Sequence, residues 1–328
     1  FGAFSRNFGP QGTDFGYFAG GTPGPKSTVD RLDYSNDTAT AAVKGPLSAA
    51  KTNLTATGNA SFGYFAGGSP SPGSVVSTVD RIDYSNDTAT ASPKGPLSGT
   101  RKQMSATGNA DFGYFGGGYQ PSNHSTVDRI DYSNDTETAV LKGPLSVARY
   151  ELAATGNASF GYFGGGYPGP KSTVDRVDYS NDTTTASAKG PLSLARQSLS
   201  ATGNADFGYF GGGQPGPKST VDRVDYSNDT ATAVEKGPLG LDGYGFARSD
   251  MGATGNASFG YFAGGVGDGT NSIVSRIDYS NDTATASARG PLSSARSDSA
   301  ASSSRANAIP LENIVNYAAG TLATPNTG

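Results

Sequence analysis

Gly208-Tyr-Phe-Gly-Gly-Gly213, followed by Val221-Asp-Arg-Val-Asp-Tyr-Ser-Asn-Asp-Thr230, decides how the chain is read. The first half recurs as Gly16-Tyr17-Phe18, Gly63-Tyr64-Phe65, Gly113-Tyr114-Phe115, Gly161-Tyr162-Phe163 and Gly260-Tyr261-Phe262. The second half keeps step, with Asp-Tyr-Ser-Asn-Asp-Thr beginning at Asp33, Asp83, Asp131, Asp178, Asp225 and Asp278, an interval of 47 to 53 residues. A period of this length marks one supersecondary unit copied along the chain. A third element fixes the phase. Arg101, Arg149, Arg196, Arg248 and Arg296 each close a connector containing Gly-Pro-Leu, and Lys51 takes that place earlier. Arg6 stands before the first copy in a shortened version, so six units run from about Arg6 to Arg296.

Each unit reads as four short strands. Gln197-Ser-Leu-Ser-Ala-Thr202 is the first, and Gly203-Asn204 turns the chain because both residues tolerate positive φ. Asp206-Phe-Gly-Tyr-Phe210 is the second; alternation sets Phe207 and Tyr209 against Phe210, so both faces carry bulk. Ser219 to Tyr226, rich in β-branched residues, is the third. The Ser227-Asn-Asp-Thr230 turn leads to a short Ala-Thr-Ala fourth strand, and Lys236-Gly-Pro-Leu239 returns to the next unit. Helical periodicity is absent throughout. The sequence therefore predicts an all-β chain: a six-bladed β-propeller with four antiparallel strands per blade over residues 1–296. Residues 297–328 form a tail that is expected to seal the ring, the alternatives being a degenerate seventh blade or a lead into a further domain, with Ile309 to Tyr317 as a last strand or docking segment.

Composition agrees. Glycine makes up 48 of 328 residues and charged residues only 16%, while 17 Tyr and 16 Phe give regular aromatic mass. A net charge of −4 without a basic run argues against a nucleic-acid surface. No stretch is long and apolar enough for a membrane span. Cysteine is absent, so disulfides and thiolate metal sites are excluded.

The units resemble kelch repeats. The resemblance rests on Tyr162-Phe163 before Gly165-Gly166, on Val174-Asp-Arg-Val-Asp-Tyr179, and on Gly190-Pro-Leu-Ser-Leu-Ala-Arg196. It covers about residues 6–296 and implies a propeller of kelch type. One departure stands out: kelch repeats usually carry a tryptophan in the fourth strand, and this chain has none. The wording of the repeat is also similar to repetitive proteins of marine viruses, including cyanobacterial phages, which implies an extracellular or virion-surface setting.

Comparison of the copies separates the two faces expected of such a ring. The A–B turn Ala-Thr-Gly-Asn is shared by five units and the C–D turn Ser-Asn-Asp-Thr by all six. The B–C loops vary, as in Thr22 to Lys26, Ser69 to Val76, Tyr119 to His124 and Val266 to Ile273, and so do the D–A connectors, most of all Gly240 to Phe246. Variable loops on a rigid scaffold are where binding residues gather. The candidate ligand-binding residues are Tyr119, Gln120, His124, Tyr150, Tyr167, Lys171, Lys218 and Tyr244, with the tyrosines foremost because they offer area and a hydroxyl at low entropic cost.

Catalytic chemistry finds little support. His124 is the only histidine, which excludes a convincing triad, a histidine metal centre, and the copper oxidases built on kelch-type propellers. Asp268-Gly269 lacks the other acidic ligands of a calcium loop. Ser227-Asn-Asp-Thr230 resembles part of the sialidase Asp-box but lacks its Gly and Trp. Arg223 and its equivalents are read as partners of an aspartate two residues on, in a ladder between blades, since buried charges need counter-ions. The Asn-x-Ser/Thr sequons, such as Asn36-Asp-Thr38 and Asn59-Ala-Ser61, are read as turn residues. The expected function is non-enzymatic binding, without metal or cofactor. Its expected partner is a cell-surface glycan or protein receptor, or neighbouring structural subunits in an architectural role.

Overall fold

The computed structural model describes residues 15–240 and 247–303. They form a six-bladed β-propeller, six four-stranded antiparallel sheets around one axis. In blade 5 the strands A to D are Ser200–Gly203, Phe207–Gly211, Val221–Asp225 and Val234–Lys236. Blade 1 is assembled from both ends of the chain. Its strand A is Ala300–Ser303, which pairs antiparallel with strand B, Phe15–Ala19, in the register Gly16↔Ser303 to Ala19↔Ala300. Arg6, the expected start of unit one, and Ile309 to Tyr317 lie outside the described residues.

The core lies between blades rather than in one centre, because each sheet carries apolar side chains on both faces. Between blades 2 and 3, for example, Tyr64, Val79 and Leu97 meet Met104, Phe115, Ile130 and Tyr132. The strand-B tyrosine of each blade stacks on the tyrosine that follows strand C of the next, as in Tyr64 on Tyr132 at 4.7 Å and 17°. Tyr17 on Tyr84, Tyr114 on Tyr179, Tyr162 on Tyr226, Tyr209 on Tyr279 and Tyr261 on Tyr34 repeat the stack around the ring.

Each interface also carries an ion-pair belt. The turn aspartate Asp135 of blade 3 accepts from Tyr64 Oη (2.9 Å), Arg81 Nη1 (2.7 Å) and Lys94 Nζ (3.2 Å), all from blade 2. Asp37, Asp87, Asp182, Asp229 and Asp282 stand in the same position. Each belt arginine also lies over its own blade's strand-B phenylalanine, as Arg81 does over Phe62 at 4.1 Å. The arginine ladder between blades thus exists, but with a different partner from the one the sequence implied. Arg223 reaches Asp282 of the next blade, while Asp225, two residues on, caps the turn by accepting from Ser227 N and Oγ. The cause is the short 3₁₀ turn Tyr226–Asn228, which holds Asp225 locally and leaves Asp229 facing the preceding blade.

Two further details differ from expectation. Strand D is not the Ala-Thr-Ala run. Ala231 closes the turn on Asn228 O, and Ala233 N donates to Pro191 O of the preceding blade, so pairing with strand C begins only at Val234. The A–B glycine keeps a negative φ, and the turn is made instead by the asparagine side chain: Asn204 Oδ1 accepts from the amides of Asp206 and Phe207. Gly203 is needed for room, since a Cβ there would stand 2.4 Å from Phe207 O.

A second set of charges joins the connectors to strand C. Arg196, fully buried, binds Asp222 (2.7 Å) and the carbonyls of Gly212 and Thr220. Arg101–Asp128, Arg149–Asp175, Arg296–Asp30 and Lys51–Asp80 are equivalent. In blade 6 the partner of Arg248 is the hydroxyl of Ser275 at 2.7 Å.

Candidate binding face

The buried connector cations position the face on which the variable loops lie. The residue after each cation pairs through its backbone with the residue after the Gly-Gly pair of the same blade. These pairs are Thr22↔Ser297, Thr52↔Ser69, Lys102↔Tyr119, Tyr150↔Tyr167, Gln197↔Gln214 and Ser249↔Val266. The bonds are regular; Tyr150 N donates to Tyr167 O at 3.0 Å and Tyr167 N to Tyr150 O at 2.8 Å. A two-residue platform is therefore presented at the same place on each blade, and its side chains are free to differ.

The differences are not scattered. Aromatic rings gather on blades 3 and 4: Tyr119 lies 5.3 Å from Tyr150 at 55°, and Tyr150 lies 5.3 Å from Tyr167 at 64°. Tyr167 is the most open of the three, with 36% of its surface exposed. Partial burial, then the carboxylate of Glu151, pushes the Tyr150 phenol above its ordinary range, so it stays a neutral donor. Blade 5 carries the amides Gln197 and Gln214, the latter donating to Ser249 Oγ at 3.3 Å. Blades 6, 1 and 2 carry small residues.

The other predicted residues are distributed around this cluster. Gln120 and His124 lie in the loop that follows Tyr119, and His124 Nε2 is 2.7 Å from Gln120 O, so the imidazole closes its own loop. The carbonyl of His124 accepts from Arg149 N, which ties that loop to blade 4. Lys171 and Lys218 hold equivalent places, their carbonyls accepting from Arg196 N and Arg248 N at 2.9 Å. Among the described residues neither lysine makes an ion pair. Tyr244 lies outside the described residues.

Inside the platform lies a ring that the sequence reading did not single out. Asn53, Gln103, Glu151, Ser198, Asp250 and Asp298, each two residues after a connector cation, surround the axis at the start of strand A. All six have φ between 52° and 56°, the left-handed region that non-glycine residues seldom enter. Each amide donates to the carbonyl of the preceding unit, 2.8–3.0 Å, in a closed cycle that includes Asn53 N to Asp298 O. The cycle satisfies these buried donors and offsets the unfavourable backbone conformation. The ring lines the mouth of an axial cavity of about 120 Å³, below which Ala56, Ala106, Ala154, Ala201, Ala253 and Ala301 narrow the channel.

Three of the six mouth residues are acidic. Glu151 is well partnered, accepting from Gln103 Nε2, Gln197 Nε2 and Ser198 Oγ at 2.8–3.0 Å. Asp250 accepts from Ser249 Oγ and Asp298 from Ser297 Oγ. Partial burial raises the affinity of all three for a proton; for Asp298, partial burial and then the charge of Asp250 push it up to about 6. The position was visible in the sequence as the one that changes in nearly every copy, but it is separated from the variable loops by only one residue. No group of three His, Cys, Asp or Glu side chains able to hold a metal ion occurs among the described residues.

No protein-family model matches the chain. No curated protein matches it either.

Proposed function

We propose that the chain is a non-enzymatic binding module of kelch type, attaching to a glycan or protein receptor through the face that carries the B–C loops and D–A connectors. The observation that carries this reading is the contiguous cluster Tyr119–Tyr150–Tyr167. Three large, partly open rings cost little entropy to present, because backbone pairs fix them on a rigid scaffold. Tyrosine faces stack on sugar rings or apolar side chains, and their hydroxyls supply directional bonds. Lys102, Lys171, Lys218, Gln197 and Gln214 supply polar contacts around them. The kelch assignment rests on the Gly-Gly pairs, the strand-C tyrosine and the connector arginine. A cell or virion exterior is proposed from the wording of the repeat.

Binding of the purified protein to a glycan array and to intact cells tests this reading, beside a Tyr119→Ala/Tyr150→Ala/Tyr167→Ala variant. Loss of at least tenfold in the variant supports it; the absence of binding by either form overturns it.

A second reading is architectural. Val43, Val140, Leu141 and Val234 lie exposed on the outermost strands of blades 1, 3 and 5, while the other blades carry Ser, Pro, Ala or Arg there. Exposed apolar side chains on the outer strands of alternate blades suit contacts with neighbouring subunits. Sedimentation over a concentration series would show oligomers if that role holds.

A further inference from the structure

We infer that the segment Ser297–Ser303 is a proton-sensitive latch: it closes the ring non-covalently, and acidification tightens its hold. In blades 2 to 6 strands A and B are joined by the A–B turn; in blade 1 strand A is paired to strand B without one. The latch is held by the Thr22↔Ser297 bridge, by Asp298 N to Asp250 O and Asn53 N to Asp298 O, and by Ser302 Oγ against Tyr84 Oη at 2.7 Å.

Its packing is thinner than at the other seams. Leu54, Met104, Leu152, Leu199 and Met251 fill the space after the mouth residue, and Ser299 stands there in the latch. The Ser299 hydroxyl is buried and has no hydrogen-bond partner among the described residues. An unpaired buried hydroxyl and a lost apolar side chain both weaken the attachment.

The charges at the mouth are one-sided. Asp298 faces Asp250 from blade 6 and Glu151 from blade 4, with Lys102 from blade 3 as the opposing charge. Asn53, Gln103 and Ser198 are uncharged. Arg296, Arg248 and Lys51 are turned away, toward Asp30, Ser275 and Asp80. Detachment of the latch carries Asp298 into water, where its carboxyl returns to an ordinary affinity. A carboxyl that holds its proton more tightly in the closed form favours closure at low pH, and that advantage is lost as the pH rises through about 6. A shift of about two pH units bounds the effect at roughly 100-fold in the closed-to-open ratio.

Hydrogen exchange of the native protein tests this, with protection corrected for the intrinsic pH dependence of exchange. Amides of 300–303 are compared with those of strand A in blade 4, Ala153–Gly156. At pH 7.5 the latch should be the less protected, and at pH 5 its protection should rise about tenfold relative to blade 4. Asp298→Asn, which suits the left-handed backbone, should raise protection at pH 7.5 and remove most of the pH dependence. Ser299→Leu should raise protection at pH 7.5 and keep the pH dependence. Equal protection of both strands at pH 7.5, or an unchanged pH profile in Asp298→Asn, overturns the inference. Should Asp298→Asn not fold, the wild type and Ser299→Leu still decide it.

Discussion

Two rings of side chains encircle the same axis and obey opposite rules. In the belt between blades, the turn aspartate is present in every unit and each copy meets a tyrosine, an arginine and a second cation. At the mouth the six equivalent positions hold Asn, Gln, Glu, Ser and two Asp on one shared backbone conformation. The belt uses side chains to join blades, so it cannot vary. The mouth joins all six blades by a backbone cycle, so its side chains can differ, and only around Glu151 do they add bonds between blades. Asymmetry, which any specific function needs, is tolerated where the joint is made by backbone, and the Tyr119–Tyr150–Tyr167 cluster on backbone-paired platforms follows the same rule.

The comparison breaks hardest at a side-chain joint. Asp175→Ala leaves Arg149 buried with carbonyls alone and strips Ser146 N and Oγ of their acceptor. Removing one partner of a buried pair costs about 3–5 kcal/mol, which denaturant unfolding would show as a lower midpoint. Tyrosine substitutions on the candidate binding face, by contrast, should leave the midpoint within about 0.5 kcal/mol of wild type.

Protons should act oppositely on the two rings. For Asp135, Asp182 and Asp282 burial alone would raise the pKa, but hydrogen bonds from the tyrosine and lysine, with the arginine charge, outweigh it and lower the pKa. Their contribution is present above about pH 4 and lost as the pH falls through their lowered values. Asp298 is shifted upward, so its contribution grows as the pH falls from about 6 toward 4, and Asp250 and Glu151 are shifted in the same direction. Thermal unfolding should show greatest stability between about pH 4 and 6. Asp298→Asn should flatten the upper limb, worth at most about 2–3 kcal/mol, and leave the acid limb in place.

Blade 6 already carries a natural variant of the connector pair. Burial without a carboxylate lowers the Arg248 guanidinium to about 10, while Ser275 accepts one of its bonds. Ser275→Asp should restore the charge-assisted bond found at Arg196–Asp222 and raise stability by about 1–2 kcal/mol in equilibrium unfolding.

The blades were legible because Tyr, Phe, Gly-Gly and the turn residues act within one unit, where spacing reports them. Strand D was misplaced because Ala231-Thr-Ala233 has ordinary strand propensity, but its amides are claimed by Asn228 and Pro191, the latter in another blade. The partner of Arg223 was missed for a similar reason. Asp225 is nearer in sequence, and only the local cap by Ser227 shows that it is already engaged. The tyrosine cluster could be named residue by residue but not seen as contiguous, since adjacency of Tyr119 and Tyr150 depends on the angle between blades. The mouth ring was hidden most deeply: the cycle that closes it is made of backbone bonds, and no residue type announces them.

The mildest break is Tyr64→Phe. It keeps the ring stacked on Tyr132 at 4.7 Å and removes only the hydroxyl that donates to Asp135. Arg81 and Lys94 continue to pair with that carboxylate, so no charge is left alone. The loss should be about 0.5–1.5 kcal/mol, that of one hydrogen bond to a charged group with the remaining partners intact. Because Tyr64 helps hold the Asp135 pKa down, the variant should also begin acid unfolding at a slightly higher pH than wild type. A loss near that of Asp175→Ala would mean that the phenol, rather than the cations, organises the belt. A change at the candidate face without a change in stability would mean that belt and face are coupled after all.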